Sequence, residues 1–308
     1  MKYIISCPRS GSTWLSSLLS YLPGVFVSEN RYFGGYFDVV KTPNNREVLR
    51  STADAYFKAF TRHYFQFTDP KIRPENNALF ESFLQFIHDY TQKFSGCHTL
   101  IDKLTPYKGT AMKALLGVEQ YFPQAHKIYL MRDGRDVVTS GVFDWICRET
   151  PQYERHDFFL SHNSGKVLHR FFDDDSLVKW TEHWAEIASL IQISGHDTLL
   201  VRYEDMIEHT VSELRRICKF FKIDCTEPDL HASVEKSSFF NISGRNRGDA
   251  VFSSKMRKGV VGDWQRYFTK RDGVIFNEIA GSLLFEFNYA EEDSWILDLP
   301  EKLSLTYK

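Results

Sequence analysis

Long apolar stretches are absent from this 308-residue sequence. The opening run, MKYIISC, is too short for the apolar core of a signal peptide, and no later stretch approaches the roughly twenty apolar residues of a membrane span. We therefore expect a soluble, cytoplasmic protein without stable membrane insertion. A strong net charge is also absent, at −2 for the whole chain, which argues against a general affinity for nucleic acid or for acidic membranes.

Cysteines are too few and too scattered for a disulfide framework or a zinc site. They are odd in number and form no C-x-x-C pair, which fits a reducing compartment. Their positions are Cys7, Cys97, Cys147, Cys218 and Cys225. Aromatic residues, in contrast, make up 15% of the chain, which suits a large core and also a site that holds a base or an apolar acceptor.

Short apolar runs alternate with helical patterns along most of the chain. Strands are predicted at residues 3–7 and within PGVFVSEN, TLIDKL, HKIYLMRD and TLLVRYEDM, and helices with aromatic stripes at 44–67 and 76–94. This order, with 43% apolar residues, predicts a three-layer α/β fold in which helices flank a central, mostly parallel sheet. We expect a single domain over residues 1–308, with insertions at about 32–100 and 145–175.

The stretch CPRSGSTWL follows the first predicted strand and opens the first helix. Gly11 allows close backbone approach, and the N–H groups of residues 11–14, with the hydroxyls of Ser12 and Thr13, predict a cradle for an oxyanion. Arg9 adds a forked cation. A Walker loop would need an earlier Gly and a Lys where Ser12 stands, so a magnesium–ATP site loses support. Taken alone, an ordinary strand-to-helix turn remains the alternative.

Two later stretches predict a second anion subsite. YLMRDGRDVVTS places Arg132 at a strand end and Ser140 eight residues later, on the following helix. KMRKGVVGDWQRYFT places Arg257, Lys258 and Gly259 in one loop. A phosphate could bind between these groups, because ligands of parallel sheets lie at the carboxyl ends of the strands. Separately, each stretch also has a simpler explanation, a surface salt bridge or a basic turn.

These stretches resemble the signature motifs of the PAPS-dependent sulfotransferase family. CPRSGSTW is similar to the 5′-phosphosulfate loop, commonly Pro-Lys-Ser-Gly-Thr-Thr-Trp, and RDGRDVVTS to the 3′-phosphate motif, an Arg with a Ser eight residues later. RKGVVGDWQRYFT resembles the Arg-Lys-Gly-x-x-Gly-Asp-Trp-Lys-x-x-Phe-Thr signature of the cytosolic branch, which RYEDM and KSSFF also match. The resemblance spans residue 3 to about residue 289. It implies a P-loop-like fold and sulfuryl transfer from 3′-phosphoadenylyl sulfate (PAPS), with PAP as the product.

Matched residue by residue, the resemblance implies a donor site built from several segments. The residues that would hold the 5′-phosphosulfate are Arg9, Ser10, Gly11, Ser12 and Thr13. Those that would hold the 3′-phosphate are Arg132, Ser140, Arg257, Lys258 and Gly259. Those that would frame or contact the adenine are Trp14, Tyr203, Phe239 and Ser237. The residue types suit these tasks, because flat rings stack on a base and clustered cations match a phosphate.

One position departs from the cytosolic branch, which has Lys-Thr-His before the 3′-phosphate strand and uses the His as general base. Here the stretch reads IDKLTPY, so Lys103 takes the lysine position and Thr105 stands two residues later. A threonine cannot act as a base near neutral pH. DKLTPY looks more like the Glu-Lys-Ser/Thr-Pro stretch of the carbohydrate and tyrosylprotein branches, which often take the base from a Glu shortly after the first helix.

Glu29 is the candidate for the general base. It lies in SENRYF, where Glu29 and Arg31 resemble the Glu-x-Arg of the tyrosylprotein branch, and Arg9 in place of Lys suits the same type. The alternative is that Glu29 only pairs with Arg31 or another surface cation. Reserve candidates for the base are His63, His88 and His98, although a lone His is more often structural.

The resulting hypothesis is an in-line transfer that needs no metal ion. Glu29 removes the proton of an acceptor hydroxyl or amine as the bond to sulfur forms. Lys103 and Arg9, the other catalytic candidates, neutralise charge that develops on the bridging oxygen and the leaving 5′-phosphate. Fixed cations and helix N–H groups would then do what Mg²⁺ does in kinases.

The acceptor is the part that the motifs determine least. The two predicted insertions would shape its site, and a small molecule or natural product is our first choice, with an oligosaccharide or glycolipid as the alternative. Two functions of another class stay open. A P-loop kinase is disfavoured by the missing Walker residues, and a non-catalytic PAPS- or PAP-binding protein is suggested by the missing histidine.

Overall fold

The strands predicted from the sequence pair in parallel to form a sheet. The structure is a computed structural model and describes residues 2–29, 85–86, 88–89, 92–93, 96–109, 111–149, 169–192, 197–251, 254 and 256–304. Within these ranges the sheet has five parallel strands in the order β2-β3-β1-β4-β5. They are β1 (Lys2–Ser6), β2 (Val25–Glu29), β3 (Thr99–Leu104), β4 (His126–Met131) and β5 (Thr198–Arg202).

Helices connect the strands and complete the chain. Their bounds are α1 (Ser12–Ser20), α2 (Ala111–Tyr121), α3 (Gly134–Glu149), α4 (Asp174–Gln192), α5 (Tyr203–Glu208), α6 (Thr210–Phe221), α7 (Glu227–Lys236), α8 (Phe239–Ser243) and α9 (Lys270–Glu286). Two short 3₁₀ helices lie at Asp263–Arg266 and Asp293–Ile296. The helix predicted at 44–67 lies outside the described residues, whereas the described part of 76–94 is helical at residues 85–86, 88–89 and 92–93.

Both faces of the sheet are covered by helices. Successive residues of a strand point to opposite faces, so Tyr3 and Ile4 of β1 enter two different apolar clusters. Tyr3 shares its cluster with Trp184 of α4, and Ile4 shares the other with Leu18 of α1. All four side chains are buried. The predicted three-layer α/β fold with a central parallel sheet is therefore confirmed.

Most of the two predicted insertions lies outside the described residues. At their edges, β3 already begins at Thr99, α3 continues to Glu149 and α4 begins at Asp174. The single-domain organisation and the acceptor-shaping role of the insertions stay predictions. Among the helices described, none is both long and apolar enough to cross a membrane.

Candidate active site

A cleft opens at the carboxyl ends of β1 and β4, where the two predicted anion-binding loops leave the sheet. It encloses about 800 Å³ of space, including its open mouth. Most residues of the predicted donor site line it, although they come from five separate segments. They are Arg9, Gly11, Ser12, Thr13, Trp14, Arg132, Ser140, Tyr203, Phe239, Arg257, Lys258 and Gly259.

The loop after β1 turns sharply into α1. Arg9 and Gly11 both have left-handed backbone angles, with φ of 75° and 91°, and the N–H of Ser10 donates to the carbonyl of Cys7 over 3.2 Å. A β-carbon on Gly11 would come within 2.5 Å of the Tyr203 ring. Gly11 also has no side chain that could cap α1. The first N–H groups of this helix are therefore not bound by a capping side chain and are suited to bind an anionic ligand.

The side chain of Arg9 reaches across the cleft to α3. Its Nε donates to Ser140 Oγ over 3.1 Å, and its Nη1 lies 3.1 Å from Asp144 Oδ1. Arg9 was assigned to the 5′-phosphosulfate and Ser140 to the 3′-phosphate. The structure places these two residues in direct contact, so the predicted subsites adjoin each other through this hydrogen bond.

Arg132 ties the loop after β4 to two other walls of the cleft. Its Nη1 donates to the carbonyl of Arg9 over 3.2 Å, its Nη2 donates to the carbonyl of Val260 over 2.9 Å, and its guanidinium lies 4.5 Å from the centre of the Tyr203 ring. Burial would lower the pKa of Arg132, but nearby acidic groups, Asp136 first, raise it by more. Arg132 therefore stays charged, and its buried Nε has no hydrogen-bond acceptor among the described residues.

Asp263 forms ion pairs with both cations of the Arg-Lys-Gly loop. Its carboxylate accepts from Arg257 Nη2 and, over 2.5 Å, from Lys258 Nζ. Burial would raise the pKa of Asp263, but Arg257 and Lys258 lower it overall. Arg257 is itself buried between two aromatic rings, with its guanidinium carbon 4.3 Å from the centre of the Phe143 ring and 5.7 Å from that of the Tyr267 ring.

Asp136 in the first turn of α3 joins the two halves of the predicted 3′-phosphate subsite. Its carboxylate accepts from the N–H of Gly262 over 2.9 Å, from the N–H of Trp264 over 3.0 Å and from Arg132 Nη2 over 3.2 Å. The second Asp of RDGRD, Asp136, is thus hydrogen-bonded to the Gly-Asp-Trp segment of the later loop. Sequence reasoning missed Asp136, for which the only signal was an acidic residue in a helix's first turn.

The aromatic residues predicted to frame a base stand on both sides of the cleft. Trp14 donates its Nε1–H to the carbonyl of Ser237 over 2.9 Å and meets Tyr203 edge to face, with 6.0 Å between ring centres. Phe239 lies against Gly259 on the other side. The Ser237 hydroxyl pairs with Ser17 Oγ at 3.2 Å. The contact of Ser237 with Trp14 is made by its carbonyl, which holds the Trp14 ring in place.

Lys103 and Glu29 lie near the carboxyl ends of the neighbouring strands β3 and β2, Lys103 one residue before the end of β3 and Glu29 at the end of β2. Lys103 is buried, and its Nζ lies 3.5 Å from Thr13 Oγ1. Glu29 is the last residue of β2 and stands opposite Lys103 in the parallel register of β2 and β3. Only the backbone position of Glu29 is described. Its assignment as the base stays a prediction that rests on this register.

Of the three reserve histidines, His88 and His98 lie within the described residues. His98 directly precedes β3, at the amino end of a strand whose carboxyl end faces the cleft. His88 pairs with Asp89 Oδ1 at 3.1 Å, and His63 lies outside the described residues, as does Arg31. Among the residues that are described, no group of three or more His, Cys, Asp or Glu side chains is arranged to hold a metal ion.

Three further residues line the cleft without having been predicted: Arg247, Met256 and Val260. Met256 and Val260 flank the Arg-Lys-Gly triplet, so their neighbours in the sequence were a signal that could have found them. Arg247 lies ten positions before the triplet, in GRNRG, and no pattern in the sequence marked it. Ser10, which was predicted, is buried but does not line the cleft.

Comparison with known proteins assigns the family. Residues 3–288 match the family described as Sulfotransferase domain. The chain belongs to the sulfotransferase family. This match spans nearly the whole chain, so the resemblance inferred from the motifs is confirmed.

The relatives are distant. Sulfotransferase 2A1 of Rattus norvegicus is 30% identical over 174 residues, which cover 51% of this chain and 55% of that protein. The amine sulfotransferase of Oryctolagus cuniculus is 23% identical over 294 residues, which cover 90% of this chain and 78% of that protein. The first curated relatives are matched over little more than half to about two thirds of their length, 55% to 65%.

The sulfotransferase domain of the Synechococcus PCC 7002 olefin synthase has the same fold. It superposes with a TM-score of 0.52 at 18% sequence identity, and the match covers 94% of each chain. Similarity at this level of identity concerns the fold alone.

Proposed function

We propose that this sulfotransferase-family protein transfers a sulfuryl group from PAPS to a hydroxyl or amine of a small-molecule acceptor. The observation that carries the proposal is the convergence of five segments, separated along the chain, on one cleft. Three of them bring cations: Arg9 in the first loop, Arg132 after β4, and Arg257 with Lys258 in the Arg-Lys-Gly loop. Between them stand the aromatic side chains that the motif resemblance assigns to an adenine.

The donor groups in the cleft fit a ligand with two separate phosphate groups. Buried polar atoms are normally hydrogen-bonded, yet Arg132 Nε has no acceptor among the described residues. Arg132 belongs to the predicted 3′-phosphate subsite, where a phosphate oxygen would complete this bond. The start of α1 supplies N–H donors for the second group, the 5′-phosphosulfate.

The catalytic assignment follows from the residues beside the first loop. When bound, PAPS supplies the sulfuryl group. Lys103 reaches Thr13 in the loop that would hold the phosphosulfate, so its ammonium is positioned to stabilise negative charge on the leaving 5′-phosphate. Arg9 serves the same purpose from the opposite side of Gly11. Glu29, in register with Lys103, accepts the proton of the acceptor.

The acceptor class is argued from general chemistry and from one relative. A carboxylate base can take a proton from a hydroxyl or from an amine, so the proposed machinery serves both. The rabbit relative that matches 90% of this chain is called an amine sulfotransferase. We therefore keep amines beside phenols and alcohols in the small-molecule class, with oligosaccharide and glycolipid acceptors as the alternative.

A screen with sulfur-labelled PAPS tests the proposal. The purified protein is incubated with panels of phenols, alcohols, amines and oligosaccharides, and products are read by label and by mass. We expect one sulfuryl group to be added to at least one small-molecule panel, with PAP formed in equal amount. Tight binding of PAP without transfer to any panel would indicate a non-catalytic binder. Transfer only to oligosaccharides would replace the acceptor class, and phosphorylated products with ATP and Mg²⁺ would indicate a kinase.

A further inference from the structure

Arg247 contacts two separate segments of the cleft, α1 and the Arg-Lys-Gly loop. Its guanidinium carbon lies 5.0 Å from the centre of the Trp14 ring, and its Nη1 donates to the carbonyl of Gly259 over 3.2 Å. Trp14 belongs to α1, whereas Gly259 belongs to the Arg-Lys-Gly loop and packs on Phe239. The side chain therefore contacts Trp14 directly and reaches the loop on which Phe239 packs.

The backbone that carries Arg247 is held firmly beside the Arg-Lys-Gly loop. Arg245, two residues earlier, donates to the carbonyls of Asp249 and Met256, each over 2.7 Å. The N–H of Gly248 donates to the carbonyl of Lys258 over 2.9 Å. Arg245 also donates to Ser254 Oγ over 3.2 Å, and its guanidinium carbon lies 5.5 Å from the centre of the Phe239 ring, so its side chain holds this loop together. Arg247 instead extends an exposed side chain into the cleft from this well-held stretch of backbone.

Arg247 also differs from the other cations of the cleft in its electrostatic partners. Arg9 pairs with Asp144, Arg132 with Asp136, and Arg257 and Lys258 share Asp263. Within the described ranges, no carboxylate pairs with Arg247. A guanidinium without a neutralising carboxylate, set on an aromatic face, is suited to bind a flat, electron-rich ring or an anion.

We propose that Arg247 is a further donor-binding residue, which closes the cleft over the base of the nucleotide. This inference rests on the proposed function of the cleft. A planar guanidinium can stack on a purine and donate hydrogen bonds to its ring nitrogens, and its long stem lets it move aside to admit the ligand. We assign Arg247 to the base because its guanidinium faces the Trp14 ring, and because Gly259, which the motif resemblance assigns to the 3′-phosphate, packs on Phe239, an adenine-framing residue.

Calorimetric titration with PAP tests this assignment on three variants. Arg247→Met keeps an unbranched apolar stem and removes the cation, and we expect PAP to bind roughly 3- to 30-fold more weakly, the range for a lost cation–π contact. Arg247→Lys restores the charge without the planar fork and should recover only part of the affinity. Arg271→Met, an equivalent change at an exposed arginine paired with Asp174 on the surface, should leave PAP affinity unchanged.

Titration with AMP, which lacks the 3′-phosphate, distinguishes a contact of Arg247 with the base from a contact with the 3′-phosphate. If Arg247 contacts the base, Arg247→Met weakens AMP and PAP by the same factor. A loss confined to PAP would mean that Arg247 pairs with the 3′-phosphate, and it would overturn the assignment. Unchanged or tighter binding of PAP to Arg247→Met would overturn it as well. Failure of the wild-type protein to bind PAP would instead refute the proposed function, so the two failures are distinguishable.

Discussion

Gly259 lies against the ring of Phe239 so closely that a β-carbon at this position would come within 2.6 Å of two ring atoms. Its φ of 67° is in the left-handed region, where a side chain is also unfavourable. Gly259 therefore has two roles: it turns the Arg-Lys-Gly loop, and it lets Phe239, an aromatic ring of the proposed base subsite, rest on the backbone that carries the predicted phosphate ligands.

Gly259→Ala should therefore weaken PAP binding as well as stability. The left-handed backbone alone costs about 1–2 kcal/mol, and the methyl group must also displace Phe239. Gly244→Ala is the matched control, because Gly244 has a φ of 71° but a β-carbon there would meet nothing within 4 Å. We expect both variants to unfold at lower urea concentration and only Gly259→Ala to lose affinity for PAP by calorimetry. Equal PAP affinity in the two variants would contradict a role for this contact in the site.

Glu29→Gln should abolish most of the turnover and leave nucleotide binding intact. The amide cannot accept the acceptor's proton, and loss of a general base typically lowers a rate by roughly 100- to 10,000-fold. Steady-state kinetics with PAPS and an acceptor from the screen measure the effect. Glu208→Gln, at an exposed position at the end of α5, controls for the loss of one carboxylate. Turnover close to the wild-type rate in Glu29→Gln would show that the base is another residue.

Asp136→Asn should destabilise the protein by about 2–4 kcal/mol, because it leaves a buried Arg132 without its carboxylate and disturbs two backbone N–H donors, those of Gly262 and Trp264. Chemical denaturation measures the difference in unfolding free energy. Asp174→Asn also breaks ion pairs with arginines, Arg170 and Arg271, but on the surface, so its effect should be much smaller. Equal effects of the two changes would refute the joining role of Asp136.

The stability contributed by Asp263 should disappear in acid. The folded state holds its pKa below the value of about 3.9 in an unfolded chain, so the ionised form stabilises the fold above that value. The contribution is lost as the pH falls through the lower, folded-state pKa. The difference in unfolding free energy between wild type and Asp263→Asn should thus be constant near neutral pH and shrink below about pH 4. A difference that stays constant down to pH 2 would show that the pairing with Arg257 and Lys258 does not set it.

Much of the fold could be predicted because its signals are local. The runs YIIS and TLIDKL are apolar enough to identify buried strands, and the Pro, Ser and Gly that follow the first run predict a turn into a helix. The strand order could not be read in this way. β1 pairs with β3 and β4, whose residues lie about a hundred positions further along the chain, and no short pattern specifies such a pairing.

The candidate site likewise has features that local sequence patterns predict and features that depend on long-range packing. The sequence by itself determined the strand-to-helix turn at residues 9–14, the Arg-Lys-Gly loop and the family, because each depends on residue types at fixed short spacings. Only the tertiary structure decided that Arg9 meets Ser140, 131 positions away, that Asp136 joins two loops, and that Arg247 reaches Trp14. The physical reason is that hydrogen bonds and ring contacts act over a few ångströms in space. Which distant residues come that close is decided by how helices pack on the two faces of the sheet.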